Sequence, residues 1–145
     1  MYTGELYIND GDWEKALIEF QEALVLTENH STDTDLRMVA LQKITDCQID
    51  MGSIDSAIQN AKKYVDFADS AQNLVHRQRS NATMARAYIE LADCTDHIVE
   101  KDDALRLAIR YSEFSNDLIN QLERSESTED LAILKTTLYL NFCIF

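Results

Sequence analysis

Positive charge is scarce in this chain. Across 145 residues, 13 lysines and arginines face 26 aspartates and glutamates, for a net charge of −13. A phosphate backbone has to be met by a basic surface, so direct nucleic-acid binding is excluded. A basic peptide is electrostatically welcome instead, and the alternative is an acidic surface that only keeps the protein soluble. Glycine is rarer still, with three residues, none in a phosphate-cradling loop. The three cysteines, Cys47, Cys94 and Cys143, are far apart and form no CxxC motif. That excludes a disulfide framework and a zinc site, and makes them reduced packing residues of a cytosolic or nuclear protein. No apolar stretch approaches the ~20 residues of a membrane span, so no membrane partner is expected. Glu5, Asp10 and Asp12 break any N-terminal run that could act as a signal peptide. Chemistry is as thin. His30, His76 and His97 are scattered, with no His-x-x-x-His pair. Asp102-Asp103 and Asp93 with Asp96 fall where helix starts and loops use acids as caps. No metal, no cofactor and no enzyme activity are expected.

Apolar residues make up 46% of the chain, enough for the core of one domain. Thr3-Gly4-Glu5-Leu6-Tyr7 is followed by Gly11-Asp12-Trp13 and by Ala16, Leu17, Phe20, Ala23 and Leu24 at helical spacing. Gly4 allows two helices to approach closely, Tyr7 fills between them, and Gly11 ends the first helix where a positive φ is needed. Asp12 is placed to cap the next helix, which Trp13 opens as a large wedge. This order of small and aromatic residues resembles a tetratricopeptide (TPR) hairpin. Such hairpins stack on their neighbours, which implies a protein that holds a partner.

The signature recurs. Leu41, Ile44, Gly52, Ile54, Ala57, Ala61 and Tyr64 form a second unit, with Gly52 standing 41 residues after Gly11. A third starts at Met84-Ala85-Arg86-Ala87-Tyr88 and continues through Ala104, Ala108, Tyr111 and Ser115. The spacing exceeds the usual TPR period of about 34, and proline is absent throughout. Both traits resemble the long-repeat TPR subgroup, which tends to lose the proline closing each repeat. A generic helical bundle is the alternative.

The periodicity predicts an all-α, right-handed TPR superhelix, an α-solenoid of about seven antiparallel helices. They span residues 1–9, 12–28, 35–51, 54–71, 74–91, 102–123 and 129–144. One domain covers 1–145, with repeats at about 1–28, 35–71 and 74–123 and a half repeat at 129–145. Ser31 to Asp35 and Ser125 to Glu129 supply capped linkers, and Ala92 to Asp102 reads as a long inter-helix insertion. The chain looks truncated at both ends. Its last helix should leave Leu138, Leu140, Phe142 and Phe145 partly exposed and prone to association.

In TPR solenoids the first helix of each pair lines a concave groove. Mapped onto this sequence, the expected peptide-binding residues are Glu5, Asn9, Gln42, Asp46, Ile49, Asp50, Arg86, Ile89, Glu90 and Asp93. Their carboxylates and aliphatic floor suit an extended peptide containing lysine or arginine. Asp46 argues against the lysine–asparagine clamp with which chaperone-binding TPRs hold a C-terminal carboxylate.

Asn73-Leu74-Val75-His76-Arg77-Gln78-Arg79-Ser80, followed by Met84-Ala85-Arg86-Ala87-Tyr88, resembles the N-terminal TPR region of Tonsoku and Tonsoku-like proteins. Ala61-Lys62-Lys63-Tyr64 with Ala68, and Ala108-Ile109-Arg110-Tyr111 after the third-repeat insertion, extend the likeness along the chain. Thr45 and Ala85 depart from it, standing where glycine is usual. The resemblance implies a nuclear scaffold in replication-coupled double-strand-break repair by homologous recombination, whose TPR part is associated with the histone H3 tail. The implied partners are a basic H3-type tail and other repair or chromatin proteins. The alternative family is the long-repeat polarity and spindle adaptors related to LGN, which bind a partner peptide and would place the chain in the cytoplasm.

Overall fold

Helical periodicity without proline yields long, uninterrupted helices. The computed structural model describes residues 2–29 and 33–125, and no strand occurs among them. Six helices follow one another: α1 (Tyr2–Asn9), α2 (Trp13–Asn29), α3 (Thr34–Asp50), α4 (Ile54–Ser70), α5 (Leu74–Cys94) and α6 (Ile98–Arg124). The seventh expected helix lies outside the described residues. So do the predicted exposure at Leu138, Leu140, Phe142 and Phe145 and the environment of Cys143.

Three turns use one backbone device. After α1, Gly11 takes a φ of 75° while its N–H reaches Ile8 O at 3.0 Å and Asp12 N–H reaches Tyr7 O at 2.8 Å. After α3, Gly52 has a φ of 76°, with the matching bonds to Ile49 O and Gln48 O. This pair of bonds satisfies carbonyls that a helix end otherwise leaves bare, and it requires the left-handed region that glycine enters freely. The turn after α4 repeats it without glycine. Gln72 sits at a φ of 53°, and its side chain donates to Asp69 O at 2.8 Å. The following helices are capped: Asp12, Asp33 and Asn73 accept from Lys15, Leu36 and His76 N–H respectively.

Packing proceeds as a staircase. Ala16 and Phe20 of α2 meet Ile44 and Cys47 of α3, with Tyr7 and Ile8 of α1 alongside. Met38 and Leu41 of α3 then meet Tyr64 and Ala68 of α4, and Ile49 of α3 meets Ala57 of α4 and Ala87 of α5. Each cluster thus joins three successive helices, and α3 also touches α5 directly. Neighbour-on-neighbour burial of this kind makes an α-solenoid of TPR-like hairpins. The expected small-residue contact is present: a Cβ on Gly4 would lie 2.8 Å from the Phe20 ring. Thr45, where glycine is usual, is fully buried and donates to Leu41 O at 2.8 Å, back along its own helix.

The α5–α6 connection differs from the sequence reading. The extra residues do not form a long loop. α5 continues to Cys94 and α6 begins at Ile98, so the surplus is absorbed as additional helical turns. Ala92 is fully buried, which holds the end of α5 in place, and Thr95 N–H still bonds Leu91 O at 3.1 Å. Thr95 Oγ1 also donates to Glu100 across the short connection.

Candidate peptide-binding face

The odd-numbered helices supply the candidate site. Glu5 on α1 pairs with Lys43 on α3 at 3.5 Å. On α5, Arg86 reaches back to α3, placing Nη1 3.2 Å from Asp46 Oδ1 and Nη2 2.7 Å from Asp50 Oδ1. Asp46 and Asp50 lie one helical turn apart, so a single guanidinium spans both. These ion pairs bring Glu5, Asp46, Asp50 and Arg86 onto one continuous face. Glu90 and Asp93 follow Arg86 by four and seven residues along α5, which keeps them on the same side of that helix. Asn9 is exposed, while Gln42, Ile89 and Glu90 are half-buried.

Ile49 needs a correction. Expected on the groove floor, it is 5% exposed and packed against Ala57 and Ala87 in the core. α3 is enclosed by α2, α4 and α5, so its apolar residues turn inward on more than one side. The face is also less acidic than the sequence suggests. Three of its carboxylates, on Glu5, Asp46 and Asp50, are already matched by the chain's own Lys43 and Arg86. The sequence reading missed Lys43; its signal was its position three residues before Asp46 on the same helix.

Burial pushes the Asp46 carboxyl up to about 6, against the pull of Arg86 and Lys43. Its side chain keeps 28% exposure, so it remains within reach of solvent and of a partner. Away from this face, the Tyr64 hydroxyl and His76 Nδ1 are hydrogen bonded at 2.8 Å between α4 and α5. Burial, followed by the charge of Arg79, lowers the His76 pKa, while Asp35 opposes the shift. Cys47 is buried, and desolvation raises its thiol to about 11, which leaves it unreactive. No three His, Cys, Asp or Glu side chains converge on a metal position among the described residues. None of the described helices is long and apolar enough to cross a membrane. A separate cleft of about 380 Å³ opens between α2, α3 and α4, where Arg37 stacks 4.5 Å over the Phe67 ring.

No known protein-family profile matches the chain. Individual proteins do. It is 30% identical over 138 residues to the Tonsoku-like protein of Mus musculus, covering 95% of this chain and 10% of that protein. With the Tonsoku-like protein of Bos taurus it shares 32% identity over 140 residues, with the same two coverages. The chain therefore spans about a tenth of the length of these relatives. The resemblance read from the sequence is borne out: along nearly its whole length, this repeat chain is similar to Tonsoku-like proteins.

Proposed function

We propose that the face formed by α1, α3 and α5 binds an extended basic peptide, specifically an unmodified histone H3-type tail. The chain would then be part of a nuclear, non-enzymatic scaffold in replication-coupled double-strand-break repair by homologous recombination, working beside other repair or chromatin proteins. The observation that carries this reading is the row of carboxylates on three odd-numbered helices: Glu5, Asp46, Asp50, Glu90 and Asp93. Similarity to Tonsoku-like proteins supports the setting. Exposed ion pairs contribute only ~0.2–1 kcal/mol each, so several act together, with apolar contact from Ile89, and binding weakens as salt rises.

A fluorescein-labelled H3 tail peptide, followed by anisotropy, tests the proposal. Joint charge reversal at Asp46, Asp50 and Glu90 is expected to abolish binding. Reversal of Glu22 on α2 and Asp55 on α4, both exposed on even-numbered helices, is expected to leave it intact. Equal loss in both variants, with folding confirmed by circular dichroism, would show a nonspecific acidic field and overturn the reading.

A further inference from the structure

Two aspartates that could receive a partner's cation already hold one. Asp46 and Asp50 each bind Arg86 through a single carboxylate oxygen, at 3.2 and 2.7 Å. The site is not sealed, because Arg86, Asp46 and Asp50 keep 27%, 28% and 31% side-chain exposure. Arg86 also has a second seat. Glu90 stands four residues further along α5, within reach of an i,i+4 ion pair, and makes no ion pair among the described residues. An acid placed C-terminal to its base is the weaker orientation of such a pair. Arg86 therefore rests on the two aspartates while no partner competes for them.

We propose that Arg86 is a built-in competitor that sets both the affinity and the specificity of this face. A partner's basic side chain displaces it from Asp46 and Asp50, and Arg86 swings onto Glu90. The vacated clamp is shaped for a guanidinium. Two carboxylates one helical turn apart are bridged by the two terminal nitrogens of one planar fork, which a lysine ammonium cannot reproduce. The occupant is thus an arginine of the basic segment. This inference rests on the proposed reading of the face as a basic-peptide site.

The test uses the 145-residue chain and two fluorescein-labelled peptides of equal length. One alternates alanine and arginine; the other carries lysine in place of each arginine. Wild type is expected to prefer the arginine peptide. Arg86→Gln is expected to bind it about three- to tenfold more tightly. Arg106→Gln removes an equal charge from the exposed side of α6 and is expected to change nothing. Glu90→Gln is expected to weaken wild-type binding more than it weakens binding by Arg86→Gln, because only the former needs the second seat. Equal tightening in Arg86→Gln and Arg106→Gln reduces the effect to net charge and overturns the inference. So does weaker binding by Arg86→Gln, or an equal effect of Glu90→Gln in both backgrounds. Should Arg86→Gln fail to fold, Arg86→Lys keeps the charge without the fork and is expected to bind about twofold more tightly; affinity unchanged from wild type overturns the inference. Absence of binding by wild type and both Arg86 variants, all folded, overturns the basic-peptide reading and this inference with it. Binding by wild type without the Arg86 effect removes the inference alone.

Discussion

The α1–α2 and α5–α6 hairpins share a connectivity and are closed by different chemistry. In α1–α2 the seal is apolar: the fully buried Phe20 ring lies against Gly4, where no side chain could fit without displacing it. In α5–α6 the apolar contact of Ala104, Ala108, Leu118 and Leu122 is joined by a buried polar pair. Gln78 Nε2 donates to Ser115 Oγ at 2.9 Å, and that hydroxyl lies 3.3 Å from Gln78 O. Ser80 and Asn81 are buried and bonded to Arg77 O within their own helix, and Tyr88 stacks on Tyr111 at 5.8 Å. The difference follows from length. α1 has 8 residues, and one glycine–aromatic contact fixes where it sits. α5 and α6 have 21 and 27, and apolar stripes of that length tolerate a shift by one turn. A directional hydrogen bond does not tolerate it, so the polar pair specifies the register of the two long helices.

Phe20→Ala should break the comparison most sharply. It empties a large, fully buried site and is expected to cost ~3–5 kcal/mol, read as a lowered denaturant midpoint. Trp13, on the rim of the same cluster, is only half-buried. Its truncation is expected to cost about 2 kcal/mol, less than the wedge role read from the sequence implied. Equal costs at the two positions would show that Trp13 seals the hairpin as much as Phe20 does. A smaller effect sharpens the other side. Gln78→Leu leaves the Ser115 hydroxyl without its side-chain partner and is expected to cost about 1–3 kcal/mol. Adding Ser115→Ala should recover part of that loss, since both buried polar groups are then gone. Strict additivity in urea unfolding would mean that the two side chains do not act as a pair.

The same contrast decides what the sequence makes legible. Gly4, Gly11, Phe20, Gly52 and the Ala57–Ala61–Tyr64–Ala68 stripe could be read directly, because close approach, positive φ and helical burial each restrict residue type severely. The α4–α5 turn hides its identity, since Gln72 occupies the left-handed position that elsewhere holds glycine. At the α5–α6 junction, polar residues were expected to loop and instead extend two helices, because burial of Ala92 outweighs their local preference. For the candidate site, the resemblance to tetratricopeptide repeats put Asp46, Asp50 and Arg86 on one face, but it is silent on which charges meet. Pairing across α3 and α5 depends on side-chain reach between helices 36 to 40 residues apart in sequence. Ile49 was misplaced for a related reason: on an inner helix with neighbours on several sides, a groove position and a core position differ by a small rotation.

Acidification separates two of the contacts that α5 makes with its neighbours by sign, with the smallest expected effect. His76 is packed between α4 and α5, and burial lowers its pKa from the ordinary 6.5. The unfolded chain then takes up the proton first. The stability His76 contributes is complete above 6.5 and is lost as pH falls through its lowered folded value. Asp46, on the α3–α5 face, behaves oppositely. Its carboxyl is raised from 3.8 to about 6, so the folded state takes up the proton first. Its contribution is complete below 3.8 and fades as pH rises through about 6. Between about pH 7 and about pH 5 the two oppose each other in the wild type. Removing one exposes the other. His76→Gln, which keeps a group able to bond the Tyr64 hydroxyl, should lose less stability on acidification than wild type. Asp46→Asn should lose more. Urea midpoints measured across that range would check both slopes, and a shift of the same sign in the two variants would show that neither group titrates as its surroundings dictate. Peptide binding adds an independent reading: protonation of Asp46 should weaken capture of a basic peptide as pH drops through about 6, even while the same proton stabilises the fold.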